Sequence, residues 1–197
     1  MSQEQPNPEV EPVDAAREAE MVEVTIGAPE KLNNTVYLAD YDPAWPLTFA
    51  RLADDIYRAL GETVCLLEHV GSTSVPGLAA KPIIDMVLAV PDSSEEEAYI
   101  PQLERLNYYL RIREPDWFEH RVLKLSEPKV NLHVFSVGCT EIDRMLTFRN
   151  WLRHHPEELK LYETTKRELS QKTWKYIQNY ADAKSAVVQE IMTRALA

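Results

Sequence analysis

The chain has 197 residues, 45% hydrophobic and 27% charged, which is typical of one folded domain with a sizeable core. Its net charge of −11 argues against a protein that binds nucleic acid through bulk positive charge. No apolar run is long enough for a membrane helix, and no apolar leader opens the chain. Cys65 and Cys139 lack the spacing of a disulfide framework. We therefore expect a cytoplasmic protein without membrane or nucleic-acid partners.

Residues 1–30 form an acidic segment with eight carboxylates, one arginine and four prolines. Such a segment buries too little apolar surface to offset its ordering entropy, which predicts a largely disordered tail before one domain over residues 31–197. A short helix or strand at residues 13–26 is an open alternative within that tail. Residues 144–197 hold ten basic and six acidic residues, so the end of the domain is basic and the rest acidic. This separation suits an anionic small molecule. A partner-docking role for the tail is an open alternative.

The domain begins with a short β-prone run at Thr35–Ala39. Asp42-Pro43 is typical of a helix start, and an apolar stripe from Trp45 to Leu60 predicts the helix that Gly61 ends. Two β-branched runs follow, at residues 63–70 and 82–90, and a loop rich in glycine and hydroxyl groups joins them.

The second half predicts a helical stretch from Ser94 that Pro101 interrupts, and then a strand pair at 120–125 and 130–137. From Glu141 the pattern is helical to the end, with a second helix start at Pro156. The fold class is therefore α+β: a small mixed β-sheet with flanking helices and a helical C-terminal third.

The loop that carries the chemistry is Gly71-Ser-Thr-Ser-Val-Pro-Gly77. After a strand, Gly-Ser leaves backbone N–H groups that can converge on an anion, and a helix beginning there adds its positive end. The hydroxyl groups of Ser72, Thr73 and Ser74 add donors, and Lys81 follows ten residues after Gly71. The spacing is not that of a Walker loop or a serine-hydrolase elbow.

Asp85 interrupts the apolar run that follows this loop. An acid in such a strand is costly unless it is paired or holds a cation. A tight polar turn with Asp85 bonded to a neighbour is the simple alternative. Because the Gly-Ser pair, Lys81 and Asp85 occur in order within fifteen residues, we favour an anion site.

The stretch from Glu68 to Asp85, EHVGSTSVPGLAAKPIID, closely resembles the signature of the GrpB family, an uncharacterised branch of the nucleotidyltransferase superfamily that is sometimes fused to dephospho-CoA kinase. The resemblance covers about residues 34–195 and includes five further segments: 40–45, 116–121, 131–135, 148–153 and 180–184. It implies a minimal nucleotidyltransferase-like fold in which the Gly-Ser motif grips nucleotide phosphates. It also implies Mg²⁺ held by carboxylates on neighbouring strands.

The chain departs from the catalytic pattern of that superfamily at two of three acids. The pattern places two acids one residue apart on the first strand, and Val87 stands at the second position. The third acid is expected on a later strand, where this chain has His133. Asp85 alone cannot build a two-metal site, and recruitment of Asp116, Glu119 or Glu68 is open.

His133 is a candidate proton acceptor or phosphate ligand, and a histidine packed against backbone is the alternative. If the two strands form a hairpin, His120 or Arg121 approaches it. Arg121 offers bidentate contacts to phosphate, with an ion pair to Glu119 or Glu127 as the competing interpretation.

Four basic residues of the helical third are further candidates. Arg149 and Arg153 share a helix face, and a ligand role competes with a solvated one. Lys184 lies on the apolar side of the last helix, which is unusual without a partner anion, and Lys166 is a weaker candidate of the same kind.

We therefore predict a nucleotidyltransferase-like protein that binds a nucleotide or phosphorylated small molecule and, if catalytic, transfers a nucleotidyl group from a nucleoside triphosphate to a small acceptor. The alternative is a non-catalytic binding or regulatory module that lost the metal carboxylates. Asp85 holds Mg²⁺ and His133 acts as base in the catalytic version. The predicted phosphate-binding residues are Gly71, Ser72, Thr73, Ser74, Lys81, Arg121, Arg149 and Lys184.

Overall fold

The computed structural model describes residues 10–197, in which helices cover both faces of a five-stranded sheet. The helices are α1 (Ala15–Val24), α2 (Ala44–Leu60), α3 (Ile100–Glu104), α4 (Thr140–His154), α5 (Pro156–Ser170), α6 (Ile177–Ala183) and α7 (Ser185–Ala195). The strands are β1 (Lys31–Asn34), β2 (Leu66–Val70), β3 (Ile84–Val90), β4 (Tyr109–Glu114), β5 (His120–Leu125), β6 (Val130–Ser136) and β7 (Trp174–Tyr176). None of the helices in residues 10–197 is both long and apolar enough to cross a membrane.

The large sheet is mixed, which confirms the α+β prediction. Its order is β2-β3-β6-β5-β4, with β3 and β6 parallel and the other neighbours antiparallel. The register places Asp85 between Val70 and Asn131, and His133 beside Val87. These alignments set which side chains meet on one face, because successive residues of a strand point to opposite faces.

One face of the sheet builds the main core. Met86, Leu88 and Leu132 are fully buried there against α2. The helix presents the apolar stripe that its sequence predicted, and Ile56 is completely buried. Its start follows the predicted signal, since the Asp42 carboxylate accepts a hydrogen bond of 2.8 Å from the Ala44 N–H.

The second face carries the polar strand residues. Helix α4 packs on its apolar part, where Val87 and Phe135 are buried. Asp85, Asn131 and His133 lie on this same face and are only half-buried. The face is therefore apolar under α4 and polar toward the Gly71 loop.

The C-terminal third is not helical throughout. Trp174–Tyr176 forms β7, which pairs antiparallel with β1. Strand β1 begins four residues before the predicted β-prone run at Thr35–Ala39. Tyr109–Glu114 is also a strand, at the sheet edge, that the pattern did not reveal; it pairs with the next strand, β5. The three-residue β7 pairs with a strand at the other end of the chain, which local pattern does not record.

Residues 10–30 differ from the predicted disorder, and residues 1–9 of that predicted tail lie outside the described residues. Helix α1 starts at Asp14, whose carboxylate caps the Ala16 N–H. Arg17 pairs with Asp182 at 3.0 Å, and Glu18 pairs with Lys175 at 2.7 Å. The acidic segment is ordered here because the basic C-terminal part supplies its counter-charges and contacts.

Candidate functional site

The Gly71 loop folds back onto Asp85. Gly71 has φ +66° and ψ −171°, and residues Ser72–Ser74 follow as one tight 3-10 turn. A Cβ built on Gly71 would stand 2.5 Å from Asp85 Oδ2, so the carboxylate lies directly against the glycine. Gly71 is exposed and Asp85 half-buried. The prediction that the Gly71 loop and Asp85 lie together is therefore confirmed.

Two of the predicted phosphate ligands shape the loop itself. The Thr73 hydroxyl is buried and donates to the Ile83 carbonyl at 3.2 Å. The Ser74 hydroxyl is also buried and donates to the Gly71 carbonyl at 2.6 Å. Arg153 of α4 donates to the Ser74 carbonyl at 2.7 and 3.1 Å. These groups hold the turn in place, so we assign none of the three to a ligand.

Lys166 of α5 supports the loop from below. Its side chain is 2% exposed, and its ammonium donates to Ser72 Oγ at 2.9 Å and to the Ala79 carbonyl. Burial, together with the neighbouring charge of Lys184, lowers the pKa of Lys166 to about 7. Ser72 accepts this hydrogen bond, so its own hydroxyl proton can be donated elsewhere.

Three more lysines, Lys81, Lys124 and Lys184, lie within electrostatic reach of the Asp85 carboxylate. Burial lowers the pKa of Lys81 to about 8, and burial likewise lowers the pKa of Lys184 and Lys124. The negative charge of Asp85 acts on all three in the opposite direction and raises their pKa values. We call the region formed by these groups the lysine cleft; its members are Ser72, Lys81, Asp85, Lys124, Lys166 and Lys184.

The lysines come from different elements that the tertiary structure brings together. Lys81 and Lys184 share one aromatic ring, with their ammonium groups 5.7 and 4.8 Å from the centroid of Tyr180. Lys124 lies on β5, opposite Asn131, on the face that carries Asp85. A cavity of about 430 Å³ opens beside Lys184, between α4 and the α6–α7 junction. Lys184 is the member of the lysine cleft that lines this cavity, together with Arg144 of α4.

Asp85 has an amide partner and no second acid. Asn131 Nδ2 donates to Asp85 Oδ1 at 2.8 Å. Glu68, one of the acids that was open to recruitment, accepts from Arg149 at 2.7 Å instead. Residues 10–197 contain no group of three His, Cys, Asp or Glu side chains able to hold a metal ion. One carboxylate among lysines does not fit the two-metal chemistry of nucleotidyl transfer.

His133 and His120 are neighbours, as the strand pair predicted. His120 Nε2 lies 3.1 Å from His133 Nδ1, and His120 Nδ1 lies 2.6 Å from the Glu114 carboxylate. Burial lowers the pKa of His133 to about 4, so the ring is neutral near pH 7. Asp85 acts against this shift, which shows that the ring lies within electrostatic reach of the lysine cleft.

Two predicted arginines lie outside the lysine cleft. Arg121 is buried on the opposite face of the sheet, because it pairs with Val134 of the main core, and it binds Glu96 at 2.6 Å and Glu119 at 3.1 Å. Arg149 joins α4 to β2 through Glu68 and through the His69 carbonyl at 2.8 Å. The ion pair weighed against the ligand role of Arg121 is the one that forms.

Sequence reasoning missed Lys124 and Glu114 and underrated Lys166. The alternation of His120, Val122 and Lys124 along β5 was the available signal for Lys124, since it puts the lysine on the face of His120. Lys166 reaches Ser72 from 94 residues away, and no spacing in the sequence records that approach.

The fold and the site together define a mixed α+β protein in which a Gly-Ser loop stands against a strand aspartate. A model of the GrpB protein family matches residues 35–194. The chain belongs to the GrpB family.

Relatives and a solved structure agree with this assignment. The UPF0157 protein BH1888 of Halalkalibacterium halodurans is 55% identical over 89% of this chain and 90% of its own length. The crystal structure of the conserved protein GrpB from Enterococcus faecalis matches with a TM-score of 0.69 and 32% identity, over 81% of this chain and 97% of that one. A dephospho-CoA kinase of Mycolicibacterium paratuberculosis is 25% identical over 81% of this chain and 46% of its own length.

Proposed function

We propose that this protein binds a phosphorylated small molecule in the lysine cleft, with a nucleotide as the class that the family resemblance favours. One observation carries the proposal: three lysines lie within electrostatic reach of the Asp85 carboxylate, and a fourth, Lys166, lies within reach of two of them, in a chain whose net charge is −11. The resulting local excess of positive charge is the opposite of the overall charge, and concentrated charge of this kind attracts a compact anion.

The cleft has the donors that a phosphate group requires. Lys81 and Lys184 form no ion pair among the residues that the structure describes, although burial makes an uncompensated ammonium costly. A bound phosphate would offset that cost and favour the charged forms of both lysines. Ser72 can add its hydroxyl proton, since Lys166 supplies the hydrogen bond that its oxygen accepts.

A transferase is the second candidate function, and His133 is the observation that favours it. A neutral imidazole at the margin of the lysine cleft can accept a proton from a hydroxyl group of the ligand. The lysines would then neutralise the negative charge on the phosphate groups. Binding alone needs only the lysine cleft, whereas transfer needs His133 as well.

Asp85→Asn separates an anion site from a magnesium site. In an anion site the carboxylate repels the ligand, so near pH 6, where the lysines are charged, the substitution should tighten binding of free ATP by about fivefold or more. In a magnesium site it should abolish binding that depends on Mg²⁺. Isothermal titration calorimetry with ATP, with and without Mg²⁺, measures both outcomes, and dephospho-CoA is a second probe.

The matched control is Asp116→Asn, which removes the same charge from an exposed acid between β4 and β5 and should leave the affinity unchanged. Binding that needs Mg²⁺ and disappears in Asp85→Asn would show that Asp85 holds a metal ion and would contradict the anion site. Absence of binding to ATP, AMP, dephospho-CoA and ribose 5-phosphate by the natural chain would contradict the proposed function.

The affinity for a phosphate monoester should fall as the pH rises. The pKa values of about 7 for Lys166 and about 8 for Lys81 mean that each ammonium loses its proton above those values. The phosphate group keeps its charge there, since its second pKa is about 6. We expect AMP to bind at least about tenfold more weakly at pH about 9 than at pH about 6.5, by calorimetry. A flat or rising affinity would show that these lysines do not hold the anion.

A further inference from the structure

Three titratable side chains from three adjacent strands form one hydrogen-bonded row. Glu114 lies on β4, His120 on β5 and His133 on β6. The carboxylate of Glu114 is 2.6 Å from His120 Nδ1, and His120 Nε2 is 3.1 Å from His133 Nδ1. The two imidazole planes are within 7° of parallel, so each ring is held by the next. We call these three residues the histidine row.

The ionised carboxylate of Glu114 fixes the position of one ring proton on His120. An ionised carboxylate only accepts hydrogen bonds, so His120 must carry its proton on Nδ1 to bond Glu114. While His120 is neutral, its other nitrogen, Nε2, is an acceptor, and His133 donates to it from Nδ1, which leaves Nε2 of neutral His133 without a proton. A protonated His120 would instead donate to His133 Nδ1 and leave the proton of His133 on Nε2.

The surroundings keep the histidine row in place. His120 is buried and stacks on Phe135 with ring centroids 4.4 Å apart. Trp117 meets the edge of His120 at 5.1 Å. The hydrogen bonds of His133 in residues 10–197 involve Nδ1 and not Nε2.

The charged and titratable groups that act on His133 are His120 and Glu114 of the histidine row and Asp85 and Lys124 of the lysine cleft. Burial, followed by His120 and then Lys124, disfavours a cationic imidazole and lowers the pKa of His133, and these effects outweigh Asp85 and Glu114, which favour the cation. The imidazole is therefore a neutral group beside a cluster of cations.

We propose that Glu114 and neutral His120 are positioning residues that fix the tautomer of His133, so that its Nε2 accepts a hydrogen bond from a hydroxyl group of the ligand in the lysine cleft. The lysines offer only donors, and Asn131 occupies only Oδ1 of Asp85. The remaining carboxylate oxygen repels the phosphate charge, so His133 Nε2 is the uncharged acceptor for a hydroxyl beside the phosphate. The ligand class is thus a phosphate ester with a free hydroxyl, such as a nucleotide or sugar phosphate. This assignment of ligand rests on the proposed function, whereas the tautomer does not.

The tautomer can be read directly by long-range ¹H–¹⁵N NMR on the uniformly labelled full chain without ligand. We expect His133 to show a protonated Nδ1 and an unprotonated Nε2. His120→Phe keeps the aromatic stack and removes both nitrogens, so His133 should lose this signature and turn to the Nε2–H form that isolated histidines favour. Glu114→Leu should change the ¹⁵N signature of His120, which loses its acceptor, and through His120 that of His133.

Trp117→Phe is the control, because it changes the packing around His120 without removing a hydrogen bond. It should leave the His133 tautomer unchanged, and thermal unfolding shows that each variant is folded. A proton on Nε2 of His133 in the natural chain, or an unchanged His133 spectrum in His120→Phe, would overturn the inference.

Addition of AMP separates this inference from the proposed function. If AMP binds in the lysine cleft, the Nε2 resonance of His133 should move, and inorganic phosphate, which lacks the ribose hydroxyls, should move it less. If His133 carries its proton on Nδ1 but AMP does not bind, only the proposed function is contradicted. If AMP binds but the free protein already carries a proton on His133 Nε2, only the inference about the tautomer is contradicted.

Discussion

Gly71→Ala should lower the free energy of unfolding by about 2–6 kcal/mol. The backbone at φ +66° and ψ −171° is open almost only to glycine, which costs a side chain about 1–3 kcal/mol. The new Cβ would also lie 2.5 Å from Asp85 Oδ2 and 2.9 Å from Asp85 Cβ, and overpacking of this kind costs about 1–3 kcal/mol more. Urea unfolding followed by circular dichroism measures the loss.

Gly77→Ala is the matched control at the other end of the loop. Its φ is +82°, but nothing lies within 4 Å of the added Cβ, so only the backbone cost remains, about 1–2 kcal/mol. Equal losses for the two substitutions would mean that the loop does not press on Asp85. The difference between them isolates the close approach of loop and carboxylate on which the lysine cleft depends.

The second large effect is expected on binding. Lys81→Gln and Lys184→Gln should each weaken AMP binding roughly 10- to 100-fold at pH about 6.5, since a hydrogen bond to a charged group contributes about 1.5–3 kcal/mol. Both ammonium groups lie over the Tyr180 ring, and the charge of Asp85 acts on both. We therefore expect them to contact the same ligand. We expect the double variant to bind AMP too weakly for calorimetry.

Lys160→Gln makes the same change of charge at an exposed position of α5 and should alter the affinity less than twofold. Thermal unfolding without ligand checks that the cleft variants are folded; removal of a half-buried ammonium should not lower their stability much. Full affinity in both single variants would place the anion elsewhere.

Much of the fold was readable from local pattern. The stripe from Trp45 to Leu60 and its start at Asp42 predicted α2, and the strand pair at 120–125 and 130–136 came out nearly as predicted. Apolar periodicity indicates which side of an element is buried, so long elements with a clear period can be predicted from the sequence. The strands β4 and β7 were not predicted; β7 has three residues and a partner far along the chain, and β4 is the edge strand of the large sheet.

The candidate site divides in the same way. The Gly-Ser loop, Lys81 and Asp85 are close in sequence, and their proximity could be predicted. Arg121 was misplaced because an arginine next to a histidine on a strand points to the opposite face of the sheet. Thr73 and Ser74 have the right chemistry for phosphate, but burial and bonds inside the turn occupy their hydroxyls.

The sequence by itself determined the family, the α+β class and the contact between the glycine bend and the strand aspartate, since all three depend on residues that are neighbours or follow a regular period. Only the tertiary structure decided which cations surround that aspartate and that a glutamate and two histidines form a row. The cations come from the loop before β3, from β5, from α5 and from the residue after α6, and the row comes from three adjacent strands. Electrostatic energy depends on distance in space, and chain folding sets that distance independently of separation along the sequence.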